Sequence, residues 1–118
     1  MRTTQKQFSL FKKECSKWIN RLELNKWRFD FYLTDAGDNQ ADCEIDYLSC
    51  VASIRLNTNI VKSNETYTNI LKYVAKHEIL HVYIGNLTQL ARSRYVTLDE
   101  ITKAEEELVV KLEDIIKW

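Results

Sequence analysis

Along the first twenty-two positions the apolar side chains fall three and four apart, at Phe8, Phe11, Cys15, Trp18, Ile19 and Leu22. Residues so separated share one face of a 3.6-residue repeat, which predicts an amphipathic helix over Gln5 to Leu22. The period then drops to two. In Lys26 to Thr34, Trp27, Phe29 and Phe31 alternate with Arg28 and Asp30, as in a half-buried strand. Asp35-Ala-Gly-Asp-Asn reads as a turn. Ala41 to Leu48 and Cys50 to Leu56 predict two more strands, and the three together are expected to make a small antiparallel sheet. The polar stretch Asn57 to Glu65 offers Ser63 or Asn64 as the N-cap of a long helix running from Thr66 to about Ala91. Thr97, with Glu100 three residues on, has the capping-box spacing and opens a last helix from about Leu98 to Ile116. Helix, sheet, helix, helix is an α+β arrangement.

Length and composition narrow this further. The 118 residues, 45% hydrophobic and 11% aromatic, suit one folded domain over 1–118 with a single core. There is no repeat, and no proline marks a linker. Lys and Arg number 17 and Asp and Glu also 17, so no overall field indicates nucleic acid. The basic first third and the acidic stretch from Asp99 to Asp114 read as solvated helix faces. Cys15, Cys43 and Cys50 cannot all pair within the chain and match no zinc-knuckle spacing, so they read as buried thiols of a reducing compartment. Cys43 and Cys50 could face each other across a hairpin. Met1 to Leu10 has no apolar h-region, and no apolar run approaches the ~18 residues of a membrane span. A soluble, cytoplasmic protein with no membrane partner is the expectation.

The chemistry concentrates in the long helix, at His77-Glu78-Ile79-Leu80-His81. Histidines four apart stand one helical turn above each other and can point at one metal ion, Zn²⁺ by the HExxH pattern. Glu78 is placed to reach a water at that metal and act as general base. Both histidines of the chain are used here, and they continue the face of Ile70 and Val74, which predicts that they point into the domain. The plainer alternative is a pair of hydrogen-bonded core histidines with Glu78 as their partner.

A catalytic zinc normally takes three protein ligands and leaves a fourth position open. No other histidine exists, and Ile84 and Leu87 stand where a HExxHxxGxxH extension would need Gly and His. Glu, Asp or Cys remain. In the last helix an apolar stripe of Ile101, Leu108, Val109, Leu112, Ile115 and Ile116 passes through Glu105. A carboxylate on an apolar face is costly unless a cation meets it, so Glu105 is the candidate third ligand. Glu106, at the edge of the stripe, could replace it, and the run Glu105 to Glu107 also reads as a merely solvated one.

HEILH on one helix with a glutamate from the next resembles the gluzincin arrangement of zinc metallopeptidases. The order of elements is similar to compact phage and prophage metallopeptidases and to the cores of SprT-like and ImmA/IrrE proteins. In the ImmA/IrrE-like pattern apolar or small residues follow the third ligand three, four and seven places on, as Leu108, Val109 and Leu112 follow Glu105. The chain lacks the later histidine of the SprT-like pattern. The resemblance implies a zincin-like fold and a zinc-dependent hydrolase acting on a peptide or protein, degenerate forms without turnover included. An oxyanion donor would come from Tyr83, Tyr95, Arg92 or Arg94, and the strand Cys50 to Leu56 would be the edge along which a peptide aligns. The competing reading is a non-catalytic module that binds protein or nucleic acid through the basic helix Gln5 to Arg28, with Trp18 and Trp27. A nuclease is weaker, because phosphodiester chemistry favours carboxylate-rich metal sites.

Overall fold

Thr4 and Gln7 begin the first helix by exchanging hydrogen bonds. The Thr4 hydroxyl accepts from the Gln7 amide at 3.1 Å, and the Gln7 side chain accepts from the Thr4 amide at 2.8 Å, which satisfies two otherwise orphaned donors. In the computed structural model α1 (Gln5–Arg21) is followed by β1 (Arg28–Thr34), β2 (Ala41–Asp46) and β3 (Val51–Asn57). Then come α2 (Tyr67–Arg92) and α3 (Leu98–Ile115), an α+β arrangement. The structure describes residues 2–59, 67–92 and 95–115. The expected caps Ser63 and Asn64, the expected helix start at Thr66, Arg94 and Ile116 lie outside them. Among the described residues no helix is long and apolar enough to cross a membrane.

α1 turns Phe11 and Cys15 fully inward. It closes at Leu22, whose amide donates to Trp18 O at 2.9 Å. Glu23 follows at φ 57°, the left-handed step that commonly ends a helix and that glycine takes with least strain.

The sheet is mixed rather than antiparallel, with the order β1-β3-β2. β1 pairs parallel to β3, with Phe31 opposite Ile54, and β2 pairs antiparallel to β3, with Cys43 opposite Ile54 on the other side. The physical reason lies in β3. Ala52, Ile54 and Leu56 are all fully buried, and a strand with that much surface to hide gains most from a neighbour on each side. β3 is therefore central and cannot be the edge that the sequence suggested, whereas β2 is an edge strand. Asn57, 3% exposed, fixes the end of β3 to the turn before β2 by donating to Gly37 O at 3.1 Å and Asn39 O at 2.7 Å.

α2 covers the sheet with Leu71, Val74, Ala75, Ile79 and Val82, which join Phe11, Cys15 and the inward side of β3 in one apolar cluster. α3 rests on α2 and on the end of α1. Ala104 is buried, and Leu108, Leu112 and Ile115 pack on the cluster. Tyr83 of α2 donates its hydroxyl to Leu108 O at 3.2 Å, and Lys111 reaches Glu23 at 3.0 Å. The inward face of α3 thus runs through Ala104, Leu108 and Lys111. Val109 and Val110 are exposed, at 41% and 54%. The stripe read from the sequence is turned about its axis because it counted every apolar residue as buried, and a single valine on a surface is ordinary.

Ile54→Ala, which empties a volume enclosed on both sides of the sheet, should cost about 2–5 kcal/mol. Val109→Ala should cost no more than about 0.5 kcal/mol. Urea unfolding followed by circular dichroism measures both, and equal losses would show that α3 presents a different face.

Candidate functional site

On an α-helix each residue turns about 100° from the last, so neighbours in sequence face different surroundings. At His77-Glu78 this separates a cleft side from a core side. Glu78 points toward the sheet and is 6% exposed, whereas His77 and His81 are exposed. Ile70 and Val74, on the same face as the histidines, are buried at 5% and 6%. One turn further along, that face opens into a cleft of about 710 Å³ bordered by β2. The expectation that the imidazoles point into the domain is corrected accordingly: they form part of the cleft wall, and the acid between them is what lies inside.

The two imidazoles meet edge to face, with interplanar angle 81°, ring centroids 4.8 Å apart and their Nε2 atoms 3.2 Å apart. Two nitrogens each ~2.0–2.1 Å from one tetrahedral zinc would be separated by roughly 3.3 Å. The observed separation suits that bite closely. Tyr73 stacks on the outer side of His77, centroids 6.1 Å apart, and limits how far that ring can swing.

Glu78 is met from β2. The inward-facing positions of that edge strand, Ala41, Cys43 and Ile45, border the cleft, and Cys43 stands beside the Glu78 carboxylate. Burial first and the negative charge of Glu78 second push the Cys43 thiol up to about 12, so it stays protonated at neutral pH and can offer its proton to that carboxylate. A carboxylate this buried is expensive without such a partner. Cys15, deeper in the core, is raised further, again by burial first. All three thiols are free. Cys43 stands opposite Ile54 and Cys50 sits before β3 at φ 54°, so the pair expected to face across the hairpin does not.

Glu105 is exposed on α3 and does not border the cleft. α3 packs on Tyr83, which stands about 120° around α2 from His77, so neither Glu105 nor Glu106 is carried to the imidazoles. Among the described residues no group of three His, Cys, Asp or Glu side chains is placed to hold a metal ion. The oxyanion candidates also separate. Tyr83 is buried and bonded to Leu108 O, Tyr95 is 90% exposed away from the cleft, Arg94 lies outside the described residues, and Arg92 borders the cleft.

Two cleft residues escaped the sequence reading, Cys43 and Tyr47. Their signal was present, because Ala41, Cys43, Ile45 and Tyr47 continue one two-residue alternation. Tyr47 packs over Gly85, one turn beyond His81. A β-carbon at position 85 would meet the Tyr47 hydroxyl and stand 2.7 Å from its Cε1. Trp27 holds the other side of the ring edge-on, with centroids 6.1 Å apart.

Gly85→Ala should therefore displace Tyr47 and cost about 1–3 kcal/mol. Much of the loss should return in the double variant with Tyr47→Ala, a non-additivity that denaturant unfolding of the four proteins measures. Separately, the unfolded Cys43 thiol ionises near 9.0 but the folded one not until about 12. Above pH 9.0 the unfolded chain then binds fewer protons, and stability should fall as pH rises through that window. The curve for Cys43→Ala should lack this component, so that subtracting it from the wild-type curve isolates the fall. Parallel curves would show that the thiol is not held as described.

No protein-family model matches this chain, and no curated protein matches it. Among solved structures it is similar to the crystal structure of the metallopeptidase zymogen of Methanocaldococcus jannaschii jannalysin. The two are 18% identical, with a TM-score of 0.47 over 86% of this chain and 89% of that chain.

Proposed function

We propose that the protein is a zinc-dependent hydrolase of peptides, with His77 and His81 holding the metal and Glu78 acting as general base. One observation carries the reading: two imidazole nitrogens 3.2 Å apart, beside a buried carboxylate, in a cleft bordered by an edge strand. The donor pair fits zinc in atom type and spacing. Glu105 is no longer the ligand of choice. The HExxH spacing of HEILH supports the same reading.

The core-histidine alternative fares worse, because the imidazoles stand in the cleft wall while the acid is inside. Zinc held at the two imidazoles would supply Lewis acidity, polarising a carbonyl and making a nearby water easier to deprotonate. Glu78 then takes the proton of that water and later delivers it to the leaving amine. Glu78, though mostly buried, still borders the cleft, where Cys43 of β2 stands beside its carboxylate. β2, with one hydrogen-bonded neighbour, offers its other side to an extended peptide, which would pair along it by main-chain hydrogen bonds. On this reading the substrate lies along β2 rather than along the buried Cys50 to Leu56 strand.

Zinc content after dialysis should be about one ion per chain, falling sharply in His77→Ala and His81→Ala and unchanged in Glu105→Ala. Glu78→Gln should keep the metal and lose hydrolysis of a peptide library by about 10²–10⁴-fold, the usual contribution of a general base. Metal analysis and mass spectrometry of digests read the two separately. A metal-free wild type, or full turnover in Glu78→Gln, would sink the proposal.

A further inference from the structure

Beyond the imidazoles the cleft continues along α2 to Arg92. Ile84, Thr88 and Arg92 follow His77 and His81 on one side of the helix, and all five border the cleft together with Tyr47. Arg92 carries a charge that nothing described neutralises, since none of the ion pairs among the described residues involves it. The carboxylate at the other end of the cleft, Asp42, is already matched. Arg55 grips it with two hydrogen bonds, at 2.6 and 2.8 Å. Glu78, the other carboxylate of the cleft, is buried at the imidazole end, so Arg92 stands at the Tyr47 end as an exposed cation without an ion pair among the described residues.

From this placement we infer that Arg92 is a specificity-determining residue that selects peptides carrying an acidic group about three residues from the scissile bond. The inference rests on the peptidase reading and names the substrate class for that site. The distance follows from the helix. Arg92 lies about 16 Å along α2 from His81 at ~1.5 Å per residue. Side chains on a helix lean toward its N-terminus, the histidines as well as Arg92, so the guanidinium stays roughly 15 Å from the imidazole pair. An extended peptide advances ~3.3 Å per residue, so three residues cover about 10 Å and the length of a glutamate side chain covers the rest. Between the two points Ile84 is 46% exposed and offers an apolar contact to an intervening side chain.

A guanidinium and a carboxylate pair through two parallel hydrogen bonds, a geometry a lysine does not reproduce. Arg92 also stands in the last turn of α2, where any cation favours the helix dipole, and this is the role to be separated from recognition. Charge reversal separates them, because a merely structural arginine would not transfer preference to a basic peptide.

The test uses fluorescein-labelled decapeptides of Gly, Ala, Ser and Phe, with one Glu, one Lys or neither walked along the chain. Binding to zinc-loaded Glu78→Gln protein is followed by anisotropy, and cleavage by the wild type by mass spectrometry. Glu peptides should bind about tenfold tighter than neutral ones. Wild-type cuts should lie about three residues from the Glu. Arg92→Glu should abolish that preference and turn it toward the Lys peptides. Cleavage of all three classes at equal rates, unaltered in Arg92→Glu, would overturn the inference while the peptidase reading stands. Charge-dependent binding through Arg92 with no cleavage would overturn the peptidase reading and, with it, the three-residue register from a scissile bond. Neither binding nor cleavage would overturn both.

Discussion

The close approach of α2 to β2 sets the geometry of everything that follows. At one end Glu78 meets Cys43 across that seam, and at the other Gly85 lets the Tyr47 ring lie against the helix, with Trp27 behind it. A side chain at position 85 would push the Tyr47 ring off the helix and take away the contact that closes this end of the cleft. The cleft is in this sense a property of two contacts about two helical turns apart, and it depends on a residue with no side chain at all.

The same helix serves three neighbours because its pitch is not commensurate with any of them. Glu78 looks at the sheet, His77 and His81 at the cleft, and Tyr83 at α3, with α1 covering what is left through Cys15 and Phe11. Such a helix shows no single hydrophobic stripe, and among its described residues Glu78 is the charged side chain that lies buried, which makes it the informative one.

That asymmetry explains what could be read from the sequence and what could not. α1 is clear to within a residue because its apolar positions keep strict helical spacing and only one side is covered. The HExxH histidines come together because four residues on a helix are always neighbours, whatever the rest of the chain does. Strand direction was not legible, since alternation in β1 is identical for either orientation and only the complete burial of Ala52, Ile54 and Leu56 places β3 between its partners. Glu105 was misplaced for a related reason. The assignment required Val109 to be inside, and the small Ala104 lets α3 settle on Tyr83 in a different rotation. Cys43 was visible as an alternating position in a strand, but its contact with Glu78 is a long-range fact that no local pattern contains.

The outward positions of β2 have a consequence of their own. Asp42, Glu44 and Asp46 project from alternate residues of a strand whose second side has no partner among the described residues. Exposed edges of this kind tend to zip onto identical edges of other molecules, the first step toward aggregates. Two such strands brought side by side would set rows of carboxylates against each other, and among the described residues only Asp42 has an ion pair to blunt the repulsion. The acidic row thus guards the strand against pairing with its own copies.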